Sequence, residues 1–320
     1  MRCESDKKKM SKLEVFSQIA PNMVVGVWKD NQELCKSPNA DHHIRIGSIT
    51  KMFTAIAIKR LLTEEKIQLN DSVTKYLDLK VFPELTIEHL ATMRSGLADY
   101  TIDATFLASC MVNPEMKWNP IQQVGISLKT PMISKPGEKW MYCNTNYIIL
   151  GLILEKVTGK SLESIYQEFI FQPLQMNSTS LPSSPNLAEP YFDGFQYMDE
   201  QLTNVTNCHP SMAWASGGVV STLNDLYKFA QALIKGHLLS FNRSKESPNN
   251  YGFGLMNISG FFGHNGNFPG FQSILIVNPK TNVIIIVLTN LKQTIDGKQP
   301  ADEVAYSIME NFKNSADDIN

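Results

Sequence analysis

Apolar residues are concentrated in short runs near both ends of the chain. Residues 23–29 are apolar except for the final lysine, and the polar pair at 30–31 follows them, which predicts a buried strand and a turn. Two β-rich runs, 272–277 and 283–289, surround an Asn-Pro-Lys-Thr-Asn segment and predict a hairpin. Strands are therefore expected at both termini of one sheet.

The middle of the chain has helical periodicity and helix-boundary residues instead. Asn119 followed by Pro120 predicts the start of a helix, and residues 146–157 predict an apolar helix that ends near Gly159. Ser161 and Thr222 are predicted to cap two further helices, the second ending at Gly236. A closing helix is predicted from Pro300, with an apolar stripe formed by Ala301, Val304, Ala305, Ile308 and Phe312.

Terminal strands with helices between them predict an α/β (α+β) fold, in which helices flank one antiparallel sheet completed from both ends. A mainly helical lobe, at roughly residues 65–210, would be inserted between the sheet segments. We expect a single two-lobed catalytic domain over residues 12–313, with a flexible tail at 1–11 and a second tail at 314–320.

Composition and charge exclude several functional classes. The chain has 320 residues, of which 43% are hydrophobic, and a formal net charge of -2. Such a charge gives no electrostatic basis for binding nucleic acid. Without an uninterrupted apolar stretch of about 18 residues, no transmembrane segment is expected. The charged start lacks the apolar core of a secretory signal, which leaves a cytosolic location, or export with the signal removed, as alternatives.

The cysteines and histidines predict no metal site. Cysteines stand at positions 3, 35, 110, 143 and 208, none of them at zinc-ligand spacing, and an odd number cannot all pair within the chain. His42 and His43 are adjacent, and neighbouring side chains in an extended segment point to opposite faces. We therefore expect free thiols, no metal and no organic cofactor.

Ser48 and Lys51 are the first candidates for chemistry. Ser48 begins a segment that is apolar almost all round, as expected of a buried helix, and Lys51 interrupts it. Residues three apart share a helix face, so the hydroxyl and the amine can meet. Burial lowers the pKa of a lysine, which could then accept the serine proton. The alternative is a capping serine and a lysine that extends to solvent.

Two later segments carry further candidates. Tyr142 and Asn144 stand on a predicted loop before a helix, where a phenol beside an ammonium group could lose its proton and act as a general base. Asn144 can bond both a lysine and a substrate amide. His264 and Gly266 precede the strand from Gln272, and glycine there allows a substrate to approach as an added strand. Alone, each segment also fits a purely structural interpretation.

The three motifs together, Ser-x-x-Lys, Tyr-x-Asn and His-x-Gly, resemble those of the class C β-lactamase and D-alanyl-D-alanine carboxypeptidase family and of its esterase and peptidase relatives. The resemblance covers roughly residues 12–313 and includes the segments 67–73, 86–90 with 95–97, 151–159, 171–174 and 216–222, and the Asn278-Pro279 hairpin. It implies a β-lactamase/transpeptidase-like fold and a small-molecule or peptide substrate, without fixing the oligomeric state.

The resemblance also implies a role for each residue. Ser48 would be the nucleophile, Lys51 its partner and Tyr142 the general base, while Asn144 would orient the substrate. His264 and Gly266 would line the substrate on an edge strand, and the backbone N–H groups of Ser48 and Asn267 would form the oxyanion hole. Such an enzyme would form an acyl-enzyme at Ser48 and cleave amide or ester bonds, as a D-amino-acid peptidase, a carboxypeptidase or an esterase.

One departure bears on the substrate. β-Lactamases usually carry Lys-Thr-Gly where this chain has His264-Asn265-Gly266. A lysine is a permanent cation for the β-lactam carboxylate, whereas a histidine is largely neutral at pH 7 and titrates near 6.5. The departure argues against efficient β-lactam hydrolysis. A true β-lactamase and a catalytically inactive penicillin-binding-like module remain as alternatives.

Overall fold

The computed structural model describes residues 20–81, 83–236, 238–242 and 249–313. Both predicted tails, at 1–11 and 314–320, lie outside the described residues. The strands in the described part are β1 (Met23–Lys29), β2 (Gln32–Lys36), β3 (Ile44–Arg45), β4 (Phe195–Met198), β5 (Gln201–Asn204), β6 (Val220–Ser221), β7 (Tyr251–Gly252), β8 (Leu255–Ile258), β9 (Phe261–Phe268), β10 (Phe271–Asn278) and β11 (Val283–Thr289).

The main sheet is antiparallel and draws its strands from both ends of the chain. Its order is β2-β1-β11-β10-β9-β8-β7, so that N-terminal β1 lies beside C-terminal β11. Met23 pairs with Thr289 and Lys29 with Val283. The predicted hairpin joins β10 to β11, where the Asn278 side chain accepts hydrogen bonds from the N–H groups of Lys280 and Thr281. The prediction of one antiparallel sheet completed from both ends is confirmed.

The α-helices with bounds in the described part of the chain lie mainly between the strands of the main sheet. They are α1 (Thr50–Thr63), α2 (Ile87–Ala91), α3 (Ala104–Val112), α4 (Pro120–Lys129), α5 (Asn144–Thr158), α6 (Leu162–Tyr166), α7 (Trp214–Gly217), α8 (Leu223–Ile234) and α9 (Pro300–Lys313). The predicted caps at Asn119, Ser161 and Thr222 each accept a backbone hydrogen bond at the start of a helix. Gly159 has the left-handed conformation just after α5.

Side-chain alternation divides the core between the two faces of the sheet. On one face, α9 packs its predicted stripe against strand residues that include Val25, Ile274 and Ile285. The opposite face, with Val24, Leu275 and Ile286, packs in the larger cluster that contains α1. Ten of the fourteen residues of α1 are buried, among them every residue from Thr50 to Ile58, as the largely apolar sequence predicts. The nucleophile candidate is therefore attached to a largely buried helix.

No helix within the described ranges is both long and apolar enough to cross a membrane.

Candidate active site

Ser48 lies in a short 3-10 turn, Gly47–Ile49, that leads directly into α1. The preceding residue is held on both sides, because the Ile46 N–H donates to the Val219 carbonyl at 3.1 Å and the Ile46 carbonyl accepts from Ser273 Oγ at 2.8 Å. The sheet and the segment before β6 thus fix the turn, while Ser48 itself remains partly exposed. A substrate can reach its hydroxyl.

Lys51 is fully buried one turn later and points at the serine. Its Nζ donates to Ser48 Oγ at 2.9 Å, to Asn144 Oδ1 at 2.7 Å and to the Ser216 carbonyl at 2.7 Å. Burial lowers the pKa of Lys51 to about 7, although Asp99 and Cys143 act in the opposite direction. The predicted contact of hydroxyl and amine is present, and a substantial fraction of the amine is neutral near pH 7. The alternative in which Lys51 extends to solvent is excluded.

Tyr142 stands beside this pair, but not in the way the sequence predicts. The Lys51 ammonium lies 4.9 Å from the centre of the Tyr142 ring, over its face, not at its hydroxyl. Burial raises the pKa of Tyr142 above its usual value, and a hydrogen bond with Ser48 offsets this only in part. This direction favours a resting phenol that keeps its proton and argues against the acidified tyrosine expected from the sequence; the catalytic role of Tyr142 stays a prediction.

Asn144 is the first residue of α5 and joins the lysine to a carboxylate. Its Nδ2 donates to Asp99 Oδ2 at 2.9 Å and to Thr101 Oγ1 at 3.3 Å, while its Oδ1 accepts from Lys51. The predicted lysine contact is confirmed. Both N–H groups of the amide already have acceptors, so a substrate bond from Asn144 requires the longer contact with Thr101 to break. Its substrate contact stays a prediction.

His264 is almost completely buried on β9, and its ring centre lies 6.0 Å from that of Tyr142 and 5.8 Å from that of Tyr251. Its Nδ1–H donates to the Asn265 carbonyl, and its Nε2 has no hydrogen-bond partner among the described residues. Burial and the nearby Lys51 lower the pKa of His264 to about 3. This shift favours the neutral imidazole at physiological pH and argues against the titration near 6.5 expected from the sequence.

The end of β9 borders the serine. A β-carbon on Gly266 would lie 2.0 Å from the Ile46 carbonyl, and one on Gly47, whose φ is +50°, would lie 2.6 Å from the Asn267 nitrogen. Only residues without a side chain permit such an approach, so glycine at these two positions allows the nucleophile turn to lie against the strand.

The register of β9 directs the Asn267 N–H outward. A Pro-Gly turn joins Phe268 to Phe271, and the pair that closes such a turn exchanges backbone hydrogen bonds. Because bonded and non-bonded pairs alternate, the next pair, Asn267 with Gln272, leaves the Asn267 N–H pointing away from β10. Among the described strands, β8 covers β9 only from Phe261 to Gly263. Beyond Gly263 no other described strand pairs with this side of β9. The substrate role of this edge and the oxyanion role of Ser48 and Asn267 stay predictions.

No group of three or more metal-ligating side chains occurs in the described part of the chain. The cysteines at 35, 110, 143 and 208 are free thiols, in agreement with the expectation. Cys3 lies outside the described residues.

Sequence reasoning missed two members of the site. Asp99 accepts from Asn144, and the Ser216 carbonyl holds Lys51. A backbone carbonyl has no signature in sequence. The only local signal for Asp99 was its spacing to Thr101, whose N–H and hydroxyl it accepts, and this indicates no more than a cap.

A profile of the Beta-lactamase family matches residues 9–308. The chain belongs to this family. Penicillin-binding protein 4* of Bacillus subtilis is 30% identical over 299 residues, which cover 82% of this chain and 64% of that protein. Teichoic acid D-alanine hydrolase of Staphylococcus aureus is 26% identical over 257 residues, 77% of this chain and 62% of that protein. The chain spans less than two thirds of the length of these relatives.

A D-stereospecific amidohydrolase from Streptomyces has a similar solved structure. It superposes with a TM-score of 0.81 at 27% identity, covering 87% of this chain and 91% of that one. The predictions of family and of fold class are thereby confirmed.

Proposed function

We propose that this protein is a serine hydrolase that forms an acyl-enzyme at Ser48 and cleaves amide or ester bonds. The observation that carries the proposal is the 2.9 Å bond between the fully buried Lys51 Nζ and the Oγ of the partly exposed Ser48. A lysine whose pKa lies near 7 is half neutral at physiological pH, which is the range in which a general base works best.

Acylation begins with the neutral form of Lys51. As Ser48 Oγ attacks the substrate carbonyl, its proton passes to Lys51 Nζ, and the developing oxyanion accepts hydrogen bonds from the N–H groups of Ser48 and Asn267. The Lys51 ammonium, which lies against Ser48 Oγ, then returns this proton to the leaving nitrogen or oxygen, and the protonated Tyr142 hydroxyl donates a hydrogen bond to the leaving group. In deacylation water replaces the leaving group, and the same proton relay runs in reverse.

The substrate class is an acyl amide or ester, and a D-amino-acid derivative is the favoured form. The names of two relatives support this, since one is a D-stereospecific amidohydrolase and another hydrolyses D-alanine from teichoic acid. Neutral His264 offers no permanent cation to a β-lactam carboxylate, so the features of the site favour these substrates over β-lactams.

The nucleophile can be tested directly with a fluorophosphonate probe and peptide mass spectrometry. We expect the probe to label Ser48, and Ser48→Ala to lose labelling while its thermal unfolding stays unchanged. The matched control is Ser164→Ala, which removes an exposed serine of α6 and should label normally. Labelling that survives in folded Ser48→Ala would refute the mechanism, and a folded wild-type chain that no acyl donor labels would favour the inactive binding module.

A further inference from the structure

Asp99 connects two parts of the active site that are distant in sequence. Its Oδ2 accepts from the backbone N–H of Asn144 at 3.0 Å and from Asn144 Nδ2 at 2.9 Å, across 45 residues of chain. Its Oδ1 accepts from the N–H and the hydroxyl of Thr101 at 3.0 and 2.9 Å. Because Cys143 gives α5 no side-chain cap, Asp99 also caps this helix from outside.

We propose that Asp99 is a positioning residue of the acylation machinery, which fixes the orientation of the Asn144 amide and thereby holds the Lys51 amine against Ser48. This inference rests on the proposed serine hydrolase function. Asp99 acts through Asn144 and touches neither the substrate nor the reacting atoms.

The orientation of the amide follows from what each end faces. An ionised carboxylate can only accept hydrogen bonds, so Asp99 selects the N–H end of Asn144 and leaves Oδ1 directed at Lys51. In the reversed amide, N–H groups would face the amine, and Lys51 would lose one of its three acceptors. The remaining bonds, to Ser48 and the Ser216 carbonyl, would then have to hold the amine alone.

The charge of Asp99 has a second consequence, for the proton on Lys51. The titratable groups that face Lys51 in the described structure include Tyr142 and Tyr147 under the ammonium, Cys143, and His264 on β9. Burial raises the pKa of the phenols and the thiol and lowers that of His264, so all four are neutral near pH 7. Asp99 supplies the negative charge among them and favours the ammonium form.

The test is the pH dependence of acylation in three variants. Asp99→Asn keeps a residue that caps helices well and can still accept from Asn144, but it removes the charge. We expect the rising limb of kcat/KM for a p-nitrophenyl ester to move to lower pH by about one pH unit. Asp99→Leu also removes the acceptor, and we expect kcat to fall by about tenfold or more, with KM changed less than threefold.

Asp103→Asn is the matched control. Asp103 caps α3 by accepting a hydrogen bond from the Phe106 N–H at 2.9 Å. The control therefore replaces aspartate by asparagine at a similar helix cap that has no hydrogen bond with Asn144. Its pH profile should coincide with that of the wild type. A purely structural Asp99 would make Asp99→Asn behave like this control.

The proposal is overturned if folded Asp99→Asn keeps the wild-type limb, or if folded Asp99→Leu changes KM and leaves kcat intact. Should Asp99→Leu not fold, the profile of Asp99→Asn decides alone. Failure of the underlying function has a different signature, because the wild type itself would then form no acyl-enzyme at Ser48.

Discussion

At the scale of single residues, the pKa values of the site follow from which atoms face each other. The Lys51 ammonium lies over the Tyr142 ring and not at its hydroxyl, so it does not acidify the phenol. Burial shifts the pKa of each group in the direction that favours its uncharged form. It lowers the pKa of Lys51 and of His264 and raises that of Tyr142. In its neutral form Lys51, which is hydrogen-bonded to Ser48 Oγ, can accept the serine proton.

The low pKa of His264 predicts that its ring does not contribute to the pH profile. Between pH 5 and 8, kcat/KM for a carboxylate-bearing ester and for a matched neutral ester should rise in parallel, with a limb near pH 7 from Lys51. Parallel stopped-flow or steady-state profiles of the two esters check this. A falling limb near pH 6.5 that only the acidic ester shows would mean that His264 binds the carboxylate as a cation.

Sequence reasoning succeeded where contacts are local and failed where they are not. Ser48 and Lys51 are three residues apart in one helical segment, so their contact could be predicted from spacing. The protonation state of Tyr142 depends on where Lys51 lies relative to the ring, and the role of Asp99 depends on a bond across 45 residues. Neither has a periodic pattern that a single sequence displays.

At the scale of elements, strand β9 and helix α9 are joined by a buried carboxylate. Asn265, which lies between His264 and Gly266 on β9, donates from its Nδ2 to Asp302 Oδ2 at 2.9 Å. Asp302 belongs to the first turn of α9. Burial raises the pKa of Asp302 to about 6, and the hydrogen bond from Asn265 offsets this only in part. The charged form of Asp302 is therefore less favourable in the folded protein than in the unfolded chain.

This shift predicts how Asp302→Asn changes stability with pH. The folded protein keeps the Asp302 proton up to about pH 6, whereas the unfolded chain keeps it only up to about pH 4. The contribution of Asp302 to the free energy of unfolding therefore decreases as the pH rises from 4 to 6 and stays low at higher pH. The asparagine can still accept the hydrogen bond from Asn265. We therefore expect Asp302→Asn to raise the free energy of unfolding above that of the wild type by about 2 kcal/mol more at pH 7 than at pH 4.

Urea unfolding of both proteins at pH 4.5 and 7.5 measures the effect. Tyr306→Phe is a suitable control, since it alters a neighbour on α9 whose phenol is neutral at both pH values. An equal change of stability with pH in wild type and Asp302→Asn would contradict the assignment.

The presence of the helices was easier to predict from the sequence than the residues at which they begin. Caps and apolar periodicity located the helix after Asn119 and the stripe of α9. Helix α5 begins at Asn144 and not at residue 146, because a distant carboxylate, Asp99, accepts its first N–H. A helix that is capped from another part of the chain carries no start signal of its own.

At the scale of the whole molecule, two features determine the substrate preference that we expect. The described strands leave part of the β9 edge unpaired, and neutral His264 provides no permanent cation. We predict that D-amino-acid p-nitroanilides or p-nitrophenyl esters have a kcat/KM at least about tenfold above that of a chromogenic cephalosporin. Such a ratio needs a difference of only about 1.4 kcal/mol in transition-state binding. Steady-state kinetics on matched enzyme samples give the ratio, with Ser48→Ala as the blank. A cephalosporin that is the better substrate by the same factor would identify a β-lactamase.

The position of β1 has a consequence for the synthesis of the chain. Its turn residues Asp30 and Asn31 have φ values of 51° and 63°, which suits a tight hairpin, so β1 can pair with β2 at once. Its other partner, β11, follows about 250 residues later. At about 5 to 20 residues per second, the ribosome leaves the apolar edge of β1 unpaired for roughly 10 to 50 s. During that interval the nascent chain presents a template for aggregation, which a chaperone that binds extended apolar segments would protect until β11 emerges.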